Sequence, residues 1–152
     1  GSAISRVDIR WSQCNTKATS LLANTMYAQE AKENDAEEAI LCRDGVITEG
    51  SSSNVFIVKN NCIYTHPKGP LILPGITREI IINCANHCGI DLKEITFDKE
   101  ALMNADEVWI SSSTREVLPI TNIDAQQINN GQVGAIWSLI YNQYQALKGI
   151  KA

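Results

Sequence analysis

The chain has 152 residues, 44% of them hydrophobic and 20% charged, with a net charge of -4. That length suits one domain, which can bury roughly 70% of its unfolded surface without disulfide or metal staples. The mild acidity argues against nucleic acid or an anionic membrane as the main partner, and no apolar run approaches the roughly 20 residues that span a bilayer.

Gly1-Ser2 reads as a cloning scar, leaving residues 3–152 as one domain. "SRVDIRW" reads as a short strand. "TSLLANTMYAQEAKEND", residues 19–35, places Leu21, Leu22, Met26 and Ala28 on one face of an amphipathic helix. "EEAILCRDG" gives a buried strand and a turn at Asp44-Gly45. "VITE" and "NVFIVKNN" are β-rich, and Asn60-Asn61 turns the chain into "CIYTHP". A helix follows in "LILPGITREIIINCANHCG", with Gly75 at its start and Gly89 past its end. "IDLKEITF" reads as a strand, Asp98 caps a short helix in "DKEALMNA", and "DEVWISSST" and "EVLPITNID" read as two more strands. "GQVGAIWSLIYNQYQALKG" closes the chain as an amphipathic helix. Strands and helices mix throughout, so the class is α/β or α+β.

The five cysteines are odd in number and show no framework, which favours a reducing, cytoplasmic setting. Cys84, His87 and Cys88 sit close together without a second ligand pair at finger spacing, so the cysteines read as core rather than metal ligands. His66 in "THPKG" reads as a turn residue.

Chemistry concentrates in three loops and one lysine. "EGSSSN" puts a carboxylate, Glu49, before a row of hydroxyls. "LPGITR" places Ile76 and Thr77 at a helix start, where unpaired N–H groups suit a phosphate, with Arg78 as a further charge. "SSSTRE", residues 111–116, ends a strand in hydroxyls. Each of these alone is more often a cap or turn. Lys17, between a strand and a helix, is either a snorkelling surface residue or a desolvated amine fit to form a Schiff base.

In this order, Lys17 before "LLAN", "TEGSSSNVFIV", "ILPGITR" and "SSST", the chain resembles the pyridoxal-phosphate enzymes of fold type IV, over nearly its whole length. "TEGSSSNVF" is most similar to the D-amino acid aminotransferases; branched-chain aminotransferases and aminodeoxychorismate lyases are relatives. The resemblance implies the large C-terminal domain of that fold, a mixed sheet or pseudo-barrel flanked by helices. It implies pyridoxal 5'-phosphate as cofactor, amino acids and 2-oxo acids as substrates, and a homodimeric parent enzyme. Lys17 matches the lysine that forms the Schiff base and shuttles a proton, and Glu49 the partner of the pyridine nitrogen. Ile76 and Thr77 match the phosphate holders, with Ser113 or Thr114 as a second contact. Leu73 matches the apolar residue against the ring, Ser52 borders cofactor and substrate, and Arg10 matches an arginine near the lysine.

Full-length members are about twice this size. The resemblance therefore implies that an N-terminal domain is missing and that this chain alone has little transaminase activity. "TKA" around Lys17 departs from the "IKS" of D-amino acid enzymes, which leaves the substrate class open. A lyase of the same fold and a non-catalytic module binding a phosphorylated ligand are the competing readings.

Overall fold

The computed structural model describes residues 1–18 and 21–149. The first strand, β1 (Ser2–Val7), is followed by helix α1 (Leu22–Glu33) and by β2 (Glu38–Arg43), which pairs parallel with β1. The first two residues of the expected helix, 19 and 20, lie outside the described residues. Next come β3 (Val46–Gly50), β4 (Asn54–Lys59), β5 (Cys62–Thr65), α2 (Ile76–His87), β6 (Leu92–Glu94) and α3 (Lys99–Met103). The chain continues through β7 (Glu107–Ser112), β8 (Glu116–Pro119), β9 (Asn122–Ile123), β10 (Gln126–Gln127) and α4 (Ala135–Leu147).

Two mixed sheets form. One runs β10-β9-β1-β2-β3 and the other β6-β5-β4-β7-β8. Strand alternation sorts the apolar side chains into three interfaces. In β2, Ala39 and Leu41 face α1, packing with Tyr27 and Ala31, while Ile40 joins the core between the sheets. In β4, Val55 and Ile57 enter that same inter-sheet core, while Phe56 and Val58 pack under α2 and α4. A strand covered on both faces needs no polar alternation, so "NVFIVK" reads as an unbroken apolar run. Cys84, on α2, is fully buried in this outer core.

Local chemistry sets the turns. Asp44 and Gly45 have φ of 51° and 79°, and Asn60 and Asn61 have 51° and 62°. These are the double positive-φ turns that two-residue hairpins prefer. Asp98 caps α3 by accepting from the Ala101 N–H at 2.7 Å, and Gly89 leaves α2 at φ 67°.

Several expectations need correction. Strand β1 ends at Val7, because the Asp8 side chain accepts from the Arg10 N–H at 3.1 Å, a local turn that competes with the ladder. "EVLPITNID" is not one strand: β8 and β9 belong to different sheets, and the chain crosses between them at 120–121. "IDLKEITF" pairs only over Leu92–Glu94, after which Phe97 turns into the inter-sheet core. The face of α1 is also different. Leu22 and Met26 are exposed, and the helix packs through Tyr27 and Ala31 instead. The segment read as a cloning scar is itself ordered: Ser2 pairs with Asn122, and the Gly1 amine donates to the Pro119 carbonyl.

Candidate active site

The segment 51–53 is the crossing from the first sheet to the second, since β3 and β4 belong to different sheets. A cavity of about 400 Å³ opens beside this crossing. It is bounded by the loop after β1, the start of α2 and the end of β7.

The floor is ionic. Glu49, at the end of β3, is buried, and its Oε1 accepts from Arg10 Nη1 at 2.6 Å. Its Oε2 accepts from Asn54 Nδ2 at 3.1 Å and from the Leu73 N–H at 3.0 Å. Each carboxylate oxygen has about two acceptor positions, so Oε2 is filled and Oε1 keeps one open. Behind Arg10 lies Asp8, whose side chain is fully buried. It accepts from Arg10 Nη2 at 2.8 Å, Thr48 Oγ1 at 2.9 Å and Arg43 Nη2 at 3.1 Å.

These environments push the two carboxylates in opposite directions. Burial raises Glu49 to about 7, against the pull of Arg10 and the Leu73 N–H. Burial would raise Asp8 too, but the Arg10 guanidinium outweighs it and holds Asp8 at about 2. Arg10, although desolvated, is driven above its usual range by the two carboxylates it bridges.

The far wall carries donors. Gly75 gives α2 no side-chain cap, so the first N–H groups of the helix have no intrahelical partner. Thr77 is buried at this end and Ile76 is exposed; both line the cavity. Opposite them, the buried Ser111 Oγ has no hydrogen-bond partner among the described residues. An orphaned buried hydroxyl beside an uncapped helix start is what an anion would satisfy.

Arg10, Lys17, Glu49, Ser52, Leu73, Ile76, Thr77 and Ser113 all line this cavity, so eight of the nine predicted site residues converge. Thr114 does not; its hydroxyl lies 3.4 Å from Ser112 Oγ on the exposed turn. Lys17 is exposed, so the amine is not desolvated in this chain. Arg78 does not line the cavity. It is fully buried away from the cavity, donating to Glu79, Glu94 and the His66 carbonyl. His66 is buried at the end of β5, and burial lowers its imidazole below the usual range.

The sequence reading missed Asp8 and Glu38, and took Asn54 and Ser111 only as members of their loop motifs. Asp8 had a signal, standing two residues before Arg10 with opposite charge. Glu38 had almost none. It is fully buried at the start of β2, and the serine run turns onto it rather than only onto the cavity.

Residues 2–123 match the family of class IV aminotransferases. The chain belongs to that family. This class IV chain is 49% identical over 135 residues to a D-alanine aminotransferase of Bacillus licheniformis, covering 89% of this chain and 48% of that protein. It is 44% identical over 144 residues to a D-alanine aminotransferase of Listeria innocua serovar 6a, covering 95% and 50%. Among solved structures, it superposes on the branched-chain aminotransferase of Thermoproteus uzoniensis with a TM-score of 0.85 at 33% identity, covering 96% and 50%. A T.th. branched-chain amino acid aminotransferase with pyridoxamine 5'-phosphate gives a TM-score of 0.86 at 26% identity, covering 99% and 52%. The class IV chain thus spans about half the length of the curated relatives it matches.

Proposed function

We propose that this chain supplies the pyridoxal 5'-phosphate pocket of a transaminase that moves an amino group between a D-amino acid and a 2-oxo acid. The observation that carries the proposal is one cavity holding three separated functions. An amine, Lys17, stands on one loop; a buried carboxylate with an open acceptor position, Glu49, lies on the floor; and an unpaired donor cluster sits at the start of α2.

These residues fit the cofactor. The N–H groups of Ile76 and Thr77, with the hydroxyls of Thr77, Ser111 and Ser113, would hold the phosphate. Glu49 Oε1 would pair with the ring nitrogen, backed by Arg10 and Asp8. Leu73 and Ser52 would flank the ring, and Lys17 would hold the cofactor covalently through Nζ. When bound, pyridoxal phosphate supplies an electron sink for the bond broken at the amino acid Cα. Lys17, on the cavity wall, would take and return a proton there as a general base and acid.

The D-amino acid assignment rests on the D-alanine aminotransferase relatives, more similar in sequence than the branched-chain neighbours. A branched-chain aminotransferase is the second reading, favoured by those structural neighbours. We place the enzyme in the cytoplasm as a homodimer. All five cysteines are free, and among the described residues no helix is long and apolar enough to cross a membrane. Exposed Val7, Ile9, Trp11, Leu22 and Met26 offer an apolar surface for a second subunit.

The test is Lys17→Ala in the full-length protein, assayed with a D-amino acid and a 2-oxo acid. Turnover should fall by on the order of 10²-fold or more; retained turnover overturns the assignment. Preference for L-branched over D-amino acids would select the second reading.

A further inference from the structure

Glu38 has no place in the pocket described above, yet its side chain is 1% exposed. Its Oε1 accepts from the Ala39 N–H at 2.8 Å, the Ser51 N–H at 3.0 Å and the Ser51 hydroxyl. Its Oε2 accepts from the Ser52 N–H and hydroxyl, both at 3.3 Å, and from the Ser53 hydroxyl at 2.7 Å. Six donors fill both oxygens, so the carboxylate has nothing left for a ligand. Arg115 Nη1 stands 3.8 Å from Oε2, reaching in from the turn between β7 and β8. Gly50 completes the arrangement. A Cβ there would lie 2.8 Å from Glu38 Oε2 and closer still to Ser53 Oγ, so a larger residue would force the clamp apart.

We propose that Glu38 is a positioning residue for the pocket: its carboxylate clamps residues 51–53 and draws the turn carrying Arg115 toward them. Ser51, Ser52 and Ser53 all line the cavity, and so do Ser112, which ends β7, and Ser113 of that turn. The clamp therefore fixes two walls at once. Asn24 reinforces it from α1 by donating to the Ser51 carbonyl at 2.7 Å. The role of these walls in holding pyridoxal phosphate rests on the function proposed above; the clamp itself does not.

The test compares wild type, Glu38→Gln and Glu38→Asp by amide hydrogen exchange and by pyridoxal phosphate titration. A glutamine offers one acceptor oxygen and turns its NH₂ toward donors. The Ser51 and Ser52 amides should then exchange about tenfold faster, with loosening confined to 51–53 and 112–115, and cofactor affinity should fall about tenfold. Glu38→Asp, which keeps the charge, should recover part of both. Unchanged exchange at 51–53, or loosening spread over both sheets, overturns the clamp. Exchange that changes while affinity stays within about twofold of wild type overturns the positioning role. If wild type binds no cofactor, the proposed function fails, and the exchange arm alone still decides the clamp. If Glu38→Gln does not fold, Ser53→Ala replaces it, with the same local loosening expected and its absence counting against the clamp.

Discussion

Two buried carboxylates stand on neighbouring strands of one sheet and are held in opposite ways. Glu49 is paired to a cation and keeps one acceptor position open toward a cavity. Glu38 is wrapped by neutral hydroxyls and amides that fill both its oxygens. Low exposure alone does not tell them apart, since their side chains are 6% and 1% exposed. Counting donors does. A saturated buried carboxylate organises its own loop, whereas an unsaturated one beside a cavity is available to a ligand.

The ionic side of this comparison breaks most severely at Arg10. Arg10→Ala takes the paired cation from Glu49 and leaves Asp8 with Arg43 alone, and breaking a buried ion pair costs about 3–5 kcal/mol. Urea unfolding should show that loss; a change under about 1 kcal/mol would mean the pair contributes little.

Acid sharpens the comparison next. Asp8 is held at about 2, below its ordinary 3.8, so its contribution is complete above 3.8 and disappears as pH falls through 2. A shift of that size is worth about 2 kcal/mol, and Asp8→Asn should flatten this limb of the pH–stability curve. Glu49 acts with the opposite sign. It is raised from 4.5 to about 7, so the folded state holds the extra proton and loses relative stability as pH rises from 4.5 through 7. Glu49→Gln should remove that slope, and the chain's affinity for pyridoxal phosphate should strengthen as pH rises through about 7, where Glu49 ionises.

Asp98 is a fourth carboxylate and serves as an exposed reference. It makes one cap bond, at 2.7 Å. Asp98→Ala should cost about 1 kcal/mol in the same unfolding assay and leave cofactor binding unchanged. Smallest of all is Lys17→Ala. The residue is exposed, so stability should move by no more than about 0.5 kcal/mol even as covalent cofactor capture disappears.

What was legible in the sequence was what short-range chemistry determines. Asp44-Gly45 and Asn60-Asn61 announce their hairpins because the needed φ values belong to those residues. The candidate site stands in the sequence as an ordered set of motifs, and the fold gathers Lys17, Glu49, Leu73, Thr77 and Ser113 around one cavity. Glu38 was not legible. Its hydroxyl partners lie 13 to 15 residues away across a change of sheet, and beside "EAIL" it looks like any strand-opening glutamate. The serine run, which the resemblance sets beside cofactor and substrate, also turns its hydroxyls onto a buried carboxylate. The face of α1 misled for a different reason. Leu22 and Met26 form an apolar stripe that stays outside this chain's core, and periodicity reports a stripe without saying what covers it.

The central claim is that Lys17 and Glu49 belong to one cofactor pocket. The direct measurement is to add pyridoxal phosphate to this chain, reduce with borohydride and map the modified peptide by mass spectrometry. The account predicts a single dominant label on Lys17, absent in Lys17→Ala and weakened in Glu49→Gln. Label spread evenly over surface lysines such as Lys32, Lys59 and Lys68, unaffected by either substitution, would contradict it.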